Sequence, residues 1–201
     1  VSAGAKRQPF SDIDAPDNMK YRRLLQQVMG PRAVLKFEDQ AREIMIELAE
    51  TTEPLGACDF AVDIAQKLPI FILMSWLDLP AEDRFELMEV ADRILGHPDP
   101  DTRKAAKLWI HDYVDGVVRQ RRETPGEDMI SHLVNGDLGD REVTHEEGRA
   151  MSANLIVGGL DTVRNMMSFI AYYLAQNPVQ RRSLVNDPSL LPNAIEELLR
   201  W

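Results

Sequence analysis

Leu155-Ile156-Val157-Gly158-Gly159-Leu160-Asp161-Thr162 lies in the middle of a stretch, Thr144 to Asn177, that reads as one long helix. Thr144 followed three residues later by Glu147 is a capping box and fixes the start. Asn177-Pro178 fixes the stop, because the residue before a proline is pushed out of helical geometry. A single helix between these points runs about 50 Å at 1.5 Å per residue. Leu155 to Leu160 is apolar on every side, which predicts burial through the centre of a large protein. The two glycines each cost roughly 1 kcal/mol relative to alanine in a helix interior. A flat object pressed against the helix would need the missing side chains, and so would a closely packed second helix. Asp161 and Thr162 follow at once. Burying a carboxylate is expensive unless it is paired or working, and the Thr162 hydroxyl can bond the carbonyl of Gly158 and loosen the local helix. One reading is a notch that binds a small molecule and moves protons. The other is helix–helix packing, with Asp161 paired to an arginine.

Outward from this segment the pattern stays helical, punctuated at Pro98–Asp101, Thr124–Asp128 and Gly136–Asp140. Met19 to Val28 reads as one helix, and Ala33 to Glu50 as a second, with Ile44, Ile46 and Leu48 among its apolar residues. Phe60 to Leu79 is strongly apolar, with Phe71-Ile72-Leu73-Met74 expected in the core and a kink expected at Pro69. Pro80 opens the next helix, where Ala81-Glu82-Asp83 suits a positive helix N-terminus. Thr102 to Arg122 is a longer, more polar helix. A small hairpin before Val143 and Thr144 is the one expected extended feature. The fold class is therefore mainly α.

Composition narrows the function. The 201 residues are 44% hydrophobic and 28% charged, ordinary for a globular chain. The net charge of −10 makes a poor partner for nucleic acid. Yet Lys20, Arg22, Arg23, Arg32 and Lys36 fall in one stretch, Met19 to Lys36, without an acidic residue. That is either a solvated helix face or the footprint of one anionic partner. The single cysteine, Cys58, allows no intrachain disulfide and fits a reducing, cytoplasmic setting. No run approaches the roughly 18 apolar residues of a membrane span. His97, His111, His132 and His145 are scattered, so no metal site is expected among the side chains present.

Three signals in order resemble the cytochrome P450 family. Gly158-Gly159-Leu160-Asp161-Thr162 is similar to the family's central-helix pattern of Ala or Gly, Gly, any residue, Asp or Glu, Thr. Glu197-Leu198-Leu199-Arg200 resembles its Glu-x-x-Arg pattern, and Arg22 the arginine that binds a haem propionate. Leu79-Pro80-Ala81-Glu82-Asp83 resembles a loop common in bacterial members. The likeness looks strongest to the soluble camphor-hydroxylase type and covers nearly the whole chain. It implies a haem b monooxygenase that hydroxylates a small apolar, terpenoid-like substrate with dioxygen and electrons from an iron–sulfur ferredoxin. Asp161 and Thr162 would deliver protons for cleavage of the O–O bond. Gly158 and Gly159 would make room for haem and dioxygen, Arg22 would hold a propionate, and Glu197 with Arg200 would be structural. The ferredoxin would dock on the basic patch of Lys20, Arg22 and Arg23, and Asn154 and Val157 would line the substrate wall.

Two residues depart from the pattern. Asn18 stands where many relatives carry histidine, which leaves one propionate contact open. Asn154 lies one turn before Gly158, where a hydrophobic residue would be expected, and so either bonds a polar atom of the substrate or is satisfied by a neighbouring helix. The resemblance also implies an iron-ligating cysteine in a glycine-rich loop after the Glu-x-x-Arg helix. Cys58 has neither the Phe-x-x-Gly nor the Cys-x-Gly context of that ligand. Residues 1–201 are thus expected to be the central portion of a single domain, without its N-terminal sheet and its haem-ligand region. The alternative is a truncated, non-catalytic helical protein that binds haem or an apolar ligand.

Overall fold

The computed structural model describes residues 9–10 and 12–200. Among them the architecture is helical, and the one ladder contact is a bridge between Asp137 and Glu142. This is the expected hairpin, reduced to a single pair. It turns at Gly139, whose φ of +95° is a conformation side chains disfavour.

The longest helix, α8 (His145–Gln176), is continuous over 32 residues. Both halves of its capping box are formed: the Thr144 hydroxyl accepts from the Glu147 amide, and the Glu147 carboxylate accepts from the Thr144 amide at 2.9 Å. The first half of α8 is the axis of the core. Met151, Ser152 and Ile156 are essentially inaccessible, and the Ser152 hydroxyl is satisfied by the carbonyl of Gly148 at 2.8 Å.

Around it pack α4 (Lys67–Trp76), α5 (Arg84–Gly96), α6 (Pro100–Glu123) and α7 (Met129–Val134). On α6 the buried residues Ala106, Ile110, Val114 and Val118 recur every four positions. That spacing makes one apolar stripe facing the core. Asp99 caps α6 by accepting from the Thr102 amide at 2.8 Å. Asp128 caps α7 in the same way through the amide of Ser131 at 3.0 Å. Its side chain is 3% exposed and is neutralised by Arg121 at 3.0 Å. Tyr113 on α6 donates to Asp83 at 2.7 Å, and burial pushes its phenol upward.

Four expectations change. The helix expected over Ala33–Glu50 is two, α2 (Pro31–Leu35) and α3 (Glu38–Thr52). The chain turns at Lys36-Phe37, where Phe37 lies against Trp76 with ring centroids 4.9 Å apart. Pro69 does not kink a helix interior. It occupies the first turn of α4, where a missing amide costs nothing, and a π-turn over Ala61–Ala65 absorbs the irregularity upstream. Of Phe71 to Met74 only Met74 is fully buried. The middle of α8 is also not buried all round, since Gly158 and Thr162 are exposed.

α9 (Pro178–Asn186) and α10 (Leu191–Arg200) extend beyond α8. α10 leaves Leu191, Ile195 and Leu199 exposed along one side.

Candidate functional site

The middle of α8 carries the predicted constellation. Positions 154, 158 and 162 are four apart and share one face. A Cβ at Gly158 would meet nothing within 4 Å, so this face is open. A Cβ at Gly159 would lie 3.1 and 3.2 Å from the two δ carbons of Leu73 on α4. The two glycines therefore serve different ends. Gly159 lets α4 approach, and Gly158 leaves room for something outside the helix.

The Thr162 hydroxyl donates to the Gly158 carbonyl at 2.8 Å, as its spacing predicts. Asp161 is paired. Its Oδ1 accepts from Arg164 at 2.9 Å and its Oδ2 from Asn165 at 2.8 Å. Arg164 also donates to Asp92 on α5 at 2.7 Å. These residues line a groove of about 630 Å³ that includes Gly96 and His97 at the end of α5. Asn154 is half-buried and has no hydrogen-bond partner among the described residues. Val157 is half-buried and packs against the hydrophobic core.

The second part of the site is α1 (Asn18–Val28). Tyr21 and Leu24 point inward, and Leu24 lies where a Cβ at Gly136 would be, 2.9 Å away. The Tyr21 hydroxyl donates to Glu147 at 2.7 Å, and Arg141 donates to both oxygens of the same carboxylate at 2.6 and 2.8 Å. The Arg141 guanidinium, followed by the Tyr21 and Thr144 donors, holds the Glu147 carboxyl at about 2, well below its usual value. Burial and the hydrogen bond to this carboxylate push the Tyr21 phenol up. This network ties α1 to the cap of α8, about 16 Å along the helix axis from Gly158. Neither Tyr21 nor Arg141 was visible as a site residue in the sequence. Only the capping role of Glu147 was.

At the start of α1 the Asn18 Oδ1 is buried without a partner. Arg22 and Arg23 are exposed, and neither has a partner among the described residues. Lys20 departs from the expected free basic patch, because Asp140 takes its charge at 2.7 Å. Glu197 and Arg200 on α10 are paired at 2.5 and 3.0 Å. Cys58 is exposed. The described residues contain no group of acids, histidines and cysteines that could hold a metal ion. None of their helices is long and apolar enough to cross a membrane.

No protein-family profile matches the chain. Curated relatives do. Nocardicin C N-oxygenase of Nocardia uniformis subsp. tsuyamanensis is 30% identical over 94% of this chain and 48% of its own length. Among solved structures, CYP101J2 is 35% identical with a TM-score of 0.84, over 94% of this chain and 47% of that one. Mycobacterium marinum cytochrome P450 CYP268A2, solved with pseudoionone, is 27% identical with a TM-score of 0.87, over 97% of this chain and 50% of that one. The chain thus spans about half the length of the curated relatives it matches. With the acid and alcohol on one long helix, the Glu-x-x-Arg pair on a later one and the same course of helices as these structures, the chain belongs to the cytochrome P450 family, whose members are haem proteins.

Proposed function

We propose that these residues are the central portion of one cytochrome P450 domain, and that the whole protein hydroxylates a small apolar molecule with dioxygen and electrons from a ferredoxin in the cytoplasm. One observation carries the reading: an open glycine, Gly158, beside an acid and an alcohol, at the point where the buried first half of α8 ends.

The residues present fit a haem. The Gly158 face offers a surface without a side chain. Arg22 is a cation without an internal partner, and the orphaned Asn18 amide, turned over, presents an NH₂ donor to an anion. Gly158 would lie against the macrocycle, and Arg22 with Asn18 would hold a propionate. Bound haem supplies iron that activates dioxygen, with a thiolate ligand contributed by the half of the protein that its relatives have in addition. Thr162 stands at the open face with its hydroxyl hydrogen on the Gly158 carbonyl, so its oxygen can accept a hydrogen bond there, and it would pass a proton on once that hydrogen leaves the carbonyl. Asp161 is the neighbouring proton carrier, once Arg164 or Asn165 lets go of one oxygen. Asn154, one turn earlier on the same face, and Val157, the residue before Gly158, would form the substrate wall. Arg22 and Arg23 remain as the electropositive part of α1 against which an acidic ferredoxin would dock.

The absorption spectrum of the reduced full-length protein under carbon monoxide tests this reading. A strongly red-shifted haem band, unchanged in Cys58→Ser, supports it. An unshifted band, or none, overturns it.

A further inference from the structure

Arg164 follows Asp161 by three residues and takes hold of it. In this structure both carboxylate oxygens of Asp161 are occupied, by Arg164 at 2.9 Å and by Asn165 at 2.8 Å, both from the next turn of α8. The Thr162 hydroxyl is turned the other way, to the Gly158 carbonyl. The acid and the alcohol are adjacent in sequence but not joined. Arg164 does not serve Asp161 alone. Its other terminal nitrogen donates to Asp92 at 2.7 Å, so a single guanidinium is divided between carboxylates on α8 and α5. An arginine can do this because its donors form a rigid fork with two outward edges, which a lysine ammonium does not provide.

The surroundings make the division consequential. Arg164 and Asp161 have side chains only 25% exposed, while Asp92 is 47% exposed. All three line the groove that opens beside the end of α5. The better-hydrated carboxylate competes with the more protected one for the same cation.

We propose that Arg164 is a positioning residue for Asp161, and that Asp92 sets the strength of its hold. With Asp92 engaged, Arg164 is shared and Asp161 can leave it to turn toward the open face. Without Asp92, Arg164 closes on Asp161 alone. The inference rests on the proposed role of Asp161 as a proton carrier. It goes further by giving the two partners of Arg164 opposite effects.

The test uses the full-length, haem-loaded protein with Asp92→Asn, Arg164→Leu, Arg164→Lys and, as reference, Asp161→Asn. Two quantities are read: the H₂O/D₂O isotope effect on substrate turnover, and backbone hydrogen exchange of residues 89–96 at the end of α5. Asp92→Asn is expected to slow turnover about two- to five-fold, the range a partly exposed ion pair supports, and to raise the isotope effect. Arg164→Leu is expected to lower the isotope effect, and Arg164→Lys to fall between it and the wild type. Both Asp92→Asn and Arg164→Leu should speed exchange at residues 89–96 by about two- to five-fold, because each removes the tie between α5 and α8. If Asp161→Asn changes the isotope effect while Asp92→Asn and Arg164→Leu move it in the same direction or not at all, the positioning role is wrong and the reading of Asp161 survives. If Asp161→Asn has no effect, the reading of Asp161 fails and this inference fails with it.

Discussion

Alanine at Gly158 and at Gly159 should have opposite consequences for the stability of the haem-free protein. Each substitution gains about 1 kcal/mol of helix propensity, because alanine loses less backbone freedom on folding. At Gly158 nothing opposes the gain, since the new methyl group meets no atom within 4 Å. The expected outcome is stabilisation by about 0.5–1 kcal/mol. At Gly159 the methyl group arrives 3.1 Å from one δ carbon of Leu73 and 3.2 Å from the other. These are the ends of one branched side chain, so they must turn aside together or α4 must move. Overpacking of this kind costs about 1–3 kcal/mol, leaving a net loss of roughly 0–2 kcal/mol. The two variants should therefore differ by about 1–3 kcal/mol, measured as urea midpoints at constant slope. Leu73→Ala in the Gly159→Ala background should return part of the loss, because it removes the atoms in the way. Equal destabilisation by both alanines, or no relief from Leu73→Ala, would refute the division of labour between the glycines.

Three further outcomes follow from the geometry. The Glu147 carboxyl is held at about 2 in the folded protein against an ordinary 4.5, so its contribution is complete above about pH 4.5 and is lost as pH falls toward 2. Full linkage would amount to about 3 kcal/mol, and solvent screening at this partly exposed site reduces it to about 1–2 kcal/mol. Glu147→Gln should remove that amount near neutral pH and flatten the acid limb of the stability curve, as chemical denaturation between pH 3 and 7 would show. Asp128→Ala should cost about 2–3 kcal/mol, because it uncaps α7 and takes from Arg121, whose side chain is 11% exposed, its one buried carboxylate, leaving the guanidinium only the exposed Asp78. A loss below 1 kcal/mol by thermal melting would count against that network. Asn154→Leu should weaken binding of substrates that carry a carbonyl or hydroxyl by about five- to ten-fold, with little change for hydrocarbons of the same shape, as spectral titration reads it. An equal effect on both substrate types would remove Asn154 from the wall.

How much of this was legible in the sequence depends on how local each cause is. The ends of α8 were, because the capping box and the Asn177-Pro178 stop act within a few residues. The bond from Thr162 to Gly158 was too, being one turn long. The different roles of Gly158 and Gly159 were not. They depend on Leu73, which reaches α8 only through the packing of α4. The break at Lys36-Phe37 was likewise hidden, since Trp76 supplies the ring against which Phe37 lies. The π-turn before Pro69 shows the same limit, as the pattern located a fault in that helix but not where the chain would absorb it. The neutralisation of Lys20 needed Asp140, from a loop that only the fold brings near. Arg164 is the exception. It stands three residues after Asp161, a spacing at which helical side chains meet, and the sequence reading asked for an arginine without naming this one.

The position of Tyr21 links these two classes of residue. A helix that presents Arg22 to a ligand needs its rotation fixed, because one position of slip carries a side chain about 100° around the axis. Tyr21 is adjacent to Arg22 and fully committed, with its ring in the core and its hydroxyl on Glu147. Glu147 is in turn committed to the cap of α8, the helix that carries Gly158, Asp161 and Thr162. The carboxylate at the start of the helix that carries Gly158, Asp161 and Thr162 thus also sets the rotation of the helix that bears Arg22. Arg141 holds that carboxylate from outside, donating to both of its oxygens. The two halves of the site are therefore not independently placed. A change at Glu147 that leaves both helices intact should still displace Arg22 relative to Gly158, and haem retention should fall in Glu147→Gln even at a pH where the protein remains folded.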